Sequence, residues 1–121
     1  ILVIDDEPEI REVLRSFLQR AGYVVHTAAD GIEGLRIFEE QAYHIDLVIT
    51  DLLMPQQEGL ETIIHLRQRH QNLPIIAISG GGRMTGSLDI LQTASLLGAA
   101  YTFSKPFHPQ EIVDAVRNLL A

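Results

Sequence analysis

At 121 residues with 46% apolar side chains, the chain is long enough for one compact domain with its own core and too short for two ordinary ones. It has no cysteine, which excludes disulfides, thiolate chemistry and Cys-based zinc sites. A formal charge of -7 at pH 7 argues against this domain embracing a nucleic acid by itself, because that needs clustered Lys and Arg. Apolar runs are strand-sized and no cleavable leader stands at the N-terminus, so no membrane span and a cytoplasmic location are expected.

Ile1-Leu2-Val3-Ile4 is an apolar run without alternation, as expected of a parallel strand covered on both faces, and it stops at Asp5-Asp6-Glu7-Pro8. Because the chain opens inside that pattern, native residues are expected to precede it. From Glu9 the period changes: Ile10, Val13, Leu14, Phe17 and Leu18 line one face of a helix, with Pro8 suited to its first turn and Gly22 to its exit. Tyr23 to Ala28 reads as a second strand. Asp30 can cap the next helix, with Glu33 at the reciprocal position, and Ile32, Leu35 and Phe38 are expected to face inward.

Ile45 to Pro55 holds the central strand, which delivers Asp51 to its C-terminal tip, and Pro55 with Gly59 ends regular continuation. Leu60, Ile63, Ile64 and Arg67 carry helical spacing over Gly59 to His70. Pro74 to Ser79 is a fourth strand, with Pro at the first position, where a missing N–H is tolerable. Gly80 to Gly86 is glycine-rich, and Ser87 to Leu97 reads as a helix leaving at Gly98. Ala99 to Ser104 is a fifth strand, Lys105-Pro106-Phe107 follows it, and Pro109 opens a last helix, which His108 helps to start. Five alternations of strand and helix predict an α/β doubly wound parallel sheet with helices on both faces; two familiar strand orders fit that count, and of these 2-1-3-4-5 puts the first and third strands together at the switch point.

If those strands are neighbours, Asp5, Asp6 and Asp51 converge at one rim, where ligands of open α/β sheets bind. Three crowded carboxylates raise each other's pKa unless a cation sits among them, and Mg²⁺ suits an all-oxygen set with one or two carboxylates and several waters, with Ca²⁺ the less suited alternative because a calcium loop of spaced acids and central Gly is absent. Ser79 and Lys105 stand at the fourth and fifth tips. Acids, ion, hydroxyl and ammonium together suit a phosphoryl group, with Asp as nucleophile toward phosphorus. Each residue alone has a duller reading as a cap, loop acid or surface ion pair. Four polar sites at the ends of four apolar strands are hard to assign to chance.

In Val3-Ile4-Asp5-Asp6-Glu7-Pro8, Thr50-Asp51-Leu52-Leu53-Met54-Pro55 with Gly59, Ser79, Gly98-Ala99 and Lys105-Pro106-Phe107, the chain resembles the receiver domain of two-component response regulators. The likeness spans essentially all of residues 1–121 and implies the flavodoxin-like receiver fold in a single domain, with a longer parent chain left open. It implies Asp51 as phosphoacceptor, charged by a histidine kinase or histidine phosphotransfer protein. Asp6 and Asp51 would supply metal carboxylates and Leu53 a carbonyl ligand, Asp5 would act mainly through water, and Lys105 would contact the phosphoryl group. A cis Lys105-Pro106 bond is implied, as is a Ser79 hydroxyl that bonds the phosphoryl oxygen and alters a protein-binding surface. At most, self-phosphorylation and slow self-dephosphorylation are expected. An output domain beyond Ala121, a downstream protein and a homodimer through the last helix and fifth strand are left open.

Two features depart from that pattern. An aromatic residue is implied three before Lys105, where Thr102 stands between Tyr101 and Phe103; strand periodicity sends those two to the face opposite Thr102, so a muted switch or one using other residues is expected. The stretch from Ser79 to Gly98 is longer than the likeness implies, and its glycine loop either closes over the site or is an unrelated insert. Leu53 cannot align water, and Gly81 lies two after Ser79, so slow hydrolysis of phosphorylated Asp51 is expected. Two other readings remain. A Mg²⁺-dependent phosphotransferase or phosphatase would need a substrate pocket and a second acid, and Asp51 lacks an Asp two residues on. An interaction module without phosphorylation would have kept crowded carboxylates for nothing. The histidines, at 26, 44, 65, 70 and 108, show no zinc pairing, and Arg11, Glu12 and Arg15 are read as a solvated helix face with a kinase contact as the alternative.

Overall fold

In a computed structural model the structure describes residues 1–52, 58–80 and 87–121. Apolar strand runs separated by helical periodicity fold as expected: β1 (Leu2–Ile4), α1 (Pro8–Arg20), β2 (His26–Ala28), α2 (Gly31–Glu40), a 3₁₀ turn (Ala42–His44), β3 (Val48–Asp51), α3 (Glu58–Arg69), β4 (Ile75–Ser79), α4 (Ser87–Leu96), β5 (Tyr101–Ser104) and α5 (Pro109–Leu120). All strand pairs are parallel, in the order β2-β1-β3-β4-β5. This is the expected doubly wound order, with β1 beside β3 in the register Ile4 to Thr50.

Because side chains alternate along each strand, the sheet splits its apolar residues between two cores. Ile4, Val48, Ile75 and Ala77 meet Phe38 of α2, Ile63 and Leu66 of α3 and Ala94 of α4. Val3, Ile49, Ile76 and Ile78 meet Leu14 and Leu18 of α1 and Ile112, Val113 and Val116 of α5. Helix ends follow local chemistry. Pro8 and Pro109 open α1 and α5; Asp30 accepts from the Glu33 N–H at 2.8 Å, and His108 Nδ1 accepts from the Gln110 N–H at 3.1 Å. Gly22 takes a φ of 100° where the chain leaves α1, a conformation that disfavours any side chain.

Some expectations needed correction. Ile32, placed inward by spacing, is 73% exposed: in the first turn of α2 the buried positions are Gly31 and Gly34. Gly34 lets α2 approach β1 so closely that a Cβ there would lie 2.4 Å from Ile4 Cδ1. Val13 and Ile64 sit at the exposed margins of their stripes. The second strand is shorter than Tyr23 to Ala28, since only His26–Ala28 pairs with β1, although Tyr23 and Val25 still pack into the α1/α5 core and Val24 points to solvent. The first, third, fourth and fifth strands and the fourth helix also come out one to three residues shorter. Among the described residues no helix is long and apolar enough to cross a membrane.

Candidate functional site

Asp5 follows the last residue of β1, Asp51 ends β3, Ser79 ends β4 and Lys105 follows β5, so four neighbouring strands deliver them to one rim. Asp5 and Asp51 are buried, as is Ser79, while Asp6 is exposed. Asp5, Asp6 and Asp51 each bring a carboxylate oxygen within 4.8 Å of the other two. Oxygens around an octahedral Mg²⁺ lie about 3 to 4 Å apart. The set therefore fits that ion after slight closure, with the exposed side of Asp6 left for water.

Lys105 closes the cluster. Its Nζ lies 3.0 Å from Asp5 Oδ2, 3.1 Å from Asp51 Oδ2 and 3.2 Å from Glu7 Oε1. Its backbone N–H donates to the Ser79 carbonyl at 2.8 Å, which ties the β4 and β5 tips together. Burial works against the Lys105 charge, but Asp51 and Asp5 outweigh it and hold the ammonium above its ordinary range. The Asp5 carboxyl is pushed up to about 6, by burial first; the Glu7 N–H on Oδ1 at 2.8 Å pulls down, the Asp51 charge pushes up and Lys105 pulls down. Among the described residues two polar atoms here find no hydrogen bond: Ser79 Oγ, and Asp5 Oδ2, which meets the ammonium as an ion pair only. A buried hydroxyl without a partner is costly, and its place beside the acids marks it as an acceptor or donor in wait.

Gly59 packs the start of α3 against β3 so closely that a Cβ would lie 2.2 Å from the Asp51 carbonyl oxygen. The Lys105-Pro106 bond is cis, as the resemblance implied. Tyr101 and Phe103 stack on the α1/α5 side with ring centroids 6.3 Å apart, and Thr102, aligned with Ala77, faces the other way, so no register change restores an aromatic there. The expectations placed on Leu53, Gly81 and the Gly81–Gly86 part of the loop lie outside the described residues. Sequence reasoning finds Glu7 as a strand-tip acid but misses it as a partner of Lys105; its place in the Asp5-Asp6-Glu7 run is the available signal.

The family model described as response regulator receiver domain matches residues 1–117. The chain belongs to this receiver family. The probable transcriptional regulator ycf27 of Cyanophora paradoxa is 40% identical over 120 residues, which cover 99% of this chain and 47% of that protein. The transcriptional regulatory protein SrrA of Staphylococcus aureus is 32% identical over the same shares of each chain. This receiver domain thus spans about half the length of the curated relatives it matches. Among solved structures, a response regulator receiver domain protein from Clostridium thermocellum superposes with a TM-score of 0.88 at 35% identity, covering 98% of this chain and 90% of that one. The NtrX receiver domain from Brucella abortus gives 0.87 at 27%, covering 98% and 96%. The acidic cluster matches the Mg²⁺ site of receiver domains, whose phosphorelay chemistry starts from a histidine kinase and alters protein interactions. Receiver domains undergo slow self-phosphorylation and self-dephosphorylation rather than metabolic catalysis.

Proposed function

We propose that Asp51 is the residue that takes the phosphoryl group, with Asp5 and Asp6 as its companions around Mg²⁺ and Lys105 and Ser79 as contacts of the phosphoryl oxygens. The observation that carries this is the Lys105 ammonium held between Asp5 and Asp51 at the rim where the Ser79 hydroxyl finds no partner among the described residues. An Asp51 carboxylate oxygen attacks phosphorus, the phosphorus–nitrogen bond of a donor phosphohistidine breaks, and the imidazole leaves neutral because its other ring nitrogen already carries a proton. Bound there, Mg²⁺ supplies charge neutralisation on the phosphoryl oxygens. Lys105 adds its ammonium to the same charge, and Ser79 donates its hydroxyl hydrogen to a phosphoryl oxygen. Leu53 would add a backbone carbonyl to the ion, and a leucine there leaves attacking water unaligned.

An open groove of about 690 Å³ runs beside Lys105, lined mainly by Ile10, Val13, Pro106, Phe107 and Pro109. Such a surface suits the apolar face of a donor protein better than a small polar substrate, and favours phosphotransfer from a histidine kinase or phosphotransfer protein over a metabolic phosphatase. The chain serves as the cytoplasmic receiver unit of a longer regulator, with DNA contact left to the remainder; the charge of -7 and the names of the curated relatives support that division. Intact mass after treatment with an acyl phosphate and Mg²⁺ tests the central point. One added phosphoryl group is expected, absent in Asp51→Asn; an unmodified wild-type chain removes the phosphoacceptor reading.

A further inference from the structure

Two arginines of the first helix, Arg11 and Arg15, are placed by spacing alone on a solvated face. Both are half-buried instead. Arg15 Nη2 donates to Thr27 Oγ1 at 2.9 Å, and Arg11 Nη1 donates to the main-chain carbonyl of Asp5 at 2.7 Å. Asp5 lies just past the last residue of β1, and its N–H is still paired with the Ala28 carbonyl at 3.1 Å. Its own carbonyl is the acceptor that Arg11 takes. Since a peptide unit is planar, fixing that carbonyl also fixes the Asp6 N–H and Cα. On the far side of Asp6, the Glu7 N–H holds Asp5 Oδ1 at 2.8 Å, and the Glu7 carbonyl accepts the Arg11 N–H at 3.2 Å.

We propose that Arg11 is a positioning residue for the divalent ion: its guanidinium clamps the Asp5–Asp6 peptide so that both carboxylates are held toward Asp51. Removing the clamp leaves the three acids in place in the sequence but frees their main chain to relax under mutual repulsion. This rests on the metal reading given above. A charge-assisted hydrogen bond to a metal-bearing loop acts on ion affinity rather than on bond making, and loss of such a group costs roughly 10-fold or more in affinity.

Calorimetric Mg²⁺ titration of the wild type, Arg11→Met and Arg11→Lys tests this. Arg11→Met is expected to bind Mg²⁺ about 10-fold more weakly, and Arg11→Lys, which keeps a donor and a charge, to retain most of the affinity. At saturating Mg²⁺, phosphorylation of Arg11→Met by an acyl phosphate should return to the wild-type rate. An unchanged affinity in Arg11→Met overturns the proposal, even if that protein melts earlier, as does a rate that stays depressed at saturating Mg²⁺. Should Arg11→Met fail to fold, Arg11→Leu, which likewise has no donor, takes its place in the same titration, and either of those two results in Arg11→Leu overturns the proposal equally. A wild-type chain that binds no Mg²⁺ overturns the metal reading itself, a failure separate from that of Arg11.

Discussion

Replacing Asp5 by Asn in the metal-free protein should make it more stable at neutral pH. Buried Asp5 ionises at about 6 in the folded state against 3.8 for an ordinary aspartate, chiefly because burial disfavours its charge. Between those values the folded chain binds more protons than the unfolded one, so stability rises as pH falls through the window. The stabilising contribution is complete below the unfolded value and lost as pH climbs through about 6. The span corresponds to about 3 kcal/mol withheld at pH 7. An amide keeps the Oδ1 acceptor for the Glu7 N–H, 2.8 Å away, while removing the charge.

Urea unfolding in EDTA, followed by far-ultraviolet circular dichroism at pH 4, 5, 6 and 7, is the assay. Asp5→Asn should exceed the wild type by about 2 to 3 kcal/mol at pH 7 and by progressively less toward pH 4. Adding Mg²⁺ should close most of that gap: a hundredfold excess over Kd stabilises the wild type by about 2.7 kcal/mol, and the variant, lacking one acid, gains less. The reasoning is refuted if Asp5→Asn is no more stable than the wild type at pH 7 in EDTA, or if its advantage is the same at pH 4.

Two further substitutions test how the scaffold holds this rim. Gly34→Ala puts a methyl 2.4 Å from Ile4 Cδ1, and the expected overpacking cost of about 1 to 3 kcal/mol exceeds the gain in helix propensity of roughly 1 kcal/mol. Adding Ile4→Val removes Cδ1 but leaves Cγ1, 2.8 Å from the added methyl, so the double variant should recover part of the loss by thermal melting; a double variant no better than Gly34→Ala would place the clash elsewhere. Arg67 donates to the carbonyls of His70, Gln71 and Gly98, at 3.1, 3.0 and 2.9 Å, and so joins the chain just past α3 to the turn after α4. Arg67→Met should cost about 1.5 to 3 kcal/mol and speed amide exchange in that turn, and a stability equal to wild type would show these bonds replaced by water at no loss.

The fold was legible because its two periods are clean. Ile75-Ile76-Ala77-Ile78 can only be a strand buried on both faces, and Ile112, Val113 and Val116 only one face of a helix. What periodicity could not decide was where a stripe meets its partner. Ile32 has helical spacing with Leu35 and Phe38, yet α2 approaches β1 through glycine, and contact made by an absent side chain leaves no mark in a hydrophobic pattern. The shortened β2 has a similar cause. Tyr23 and Val25 alternate as a strand should and are partly buried, but their place in the sheet depends on whether β1 reaches far enough to pair with them.

The places of the candidate site residues were legible where they end or follow strands, because alternation and topology together locate a strand tip in space; Asp5, Asp51, Ser79 and Lys105 were all of that kind. Glu7 and Arg11 act from beyond the tips. Glu7 reaches Lys105 across 98 positions, and the Arg11 side chain turns back to the carbonyl of Asp5, six positions earlier. Long charged side chains can cover apolar surface and still place their heads several ångströms away, so their Cα position does not tell which acceptor they find. That acceptor is set by the angle at which α1 leaves β1. The angle depends on Leu14 and Leu18 packing beside α5, and no single stretch of sequence contains it.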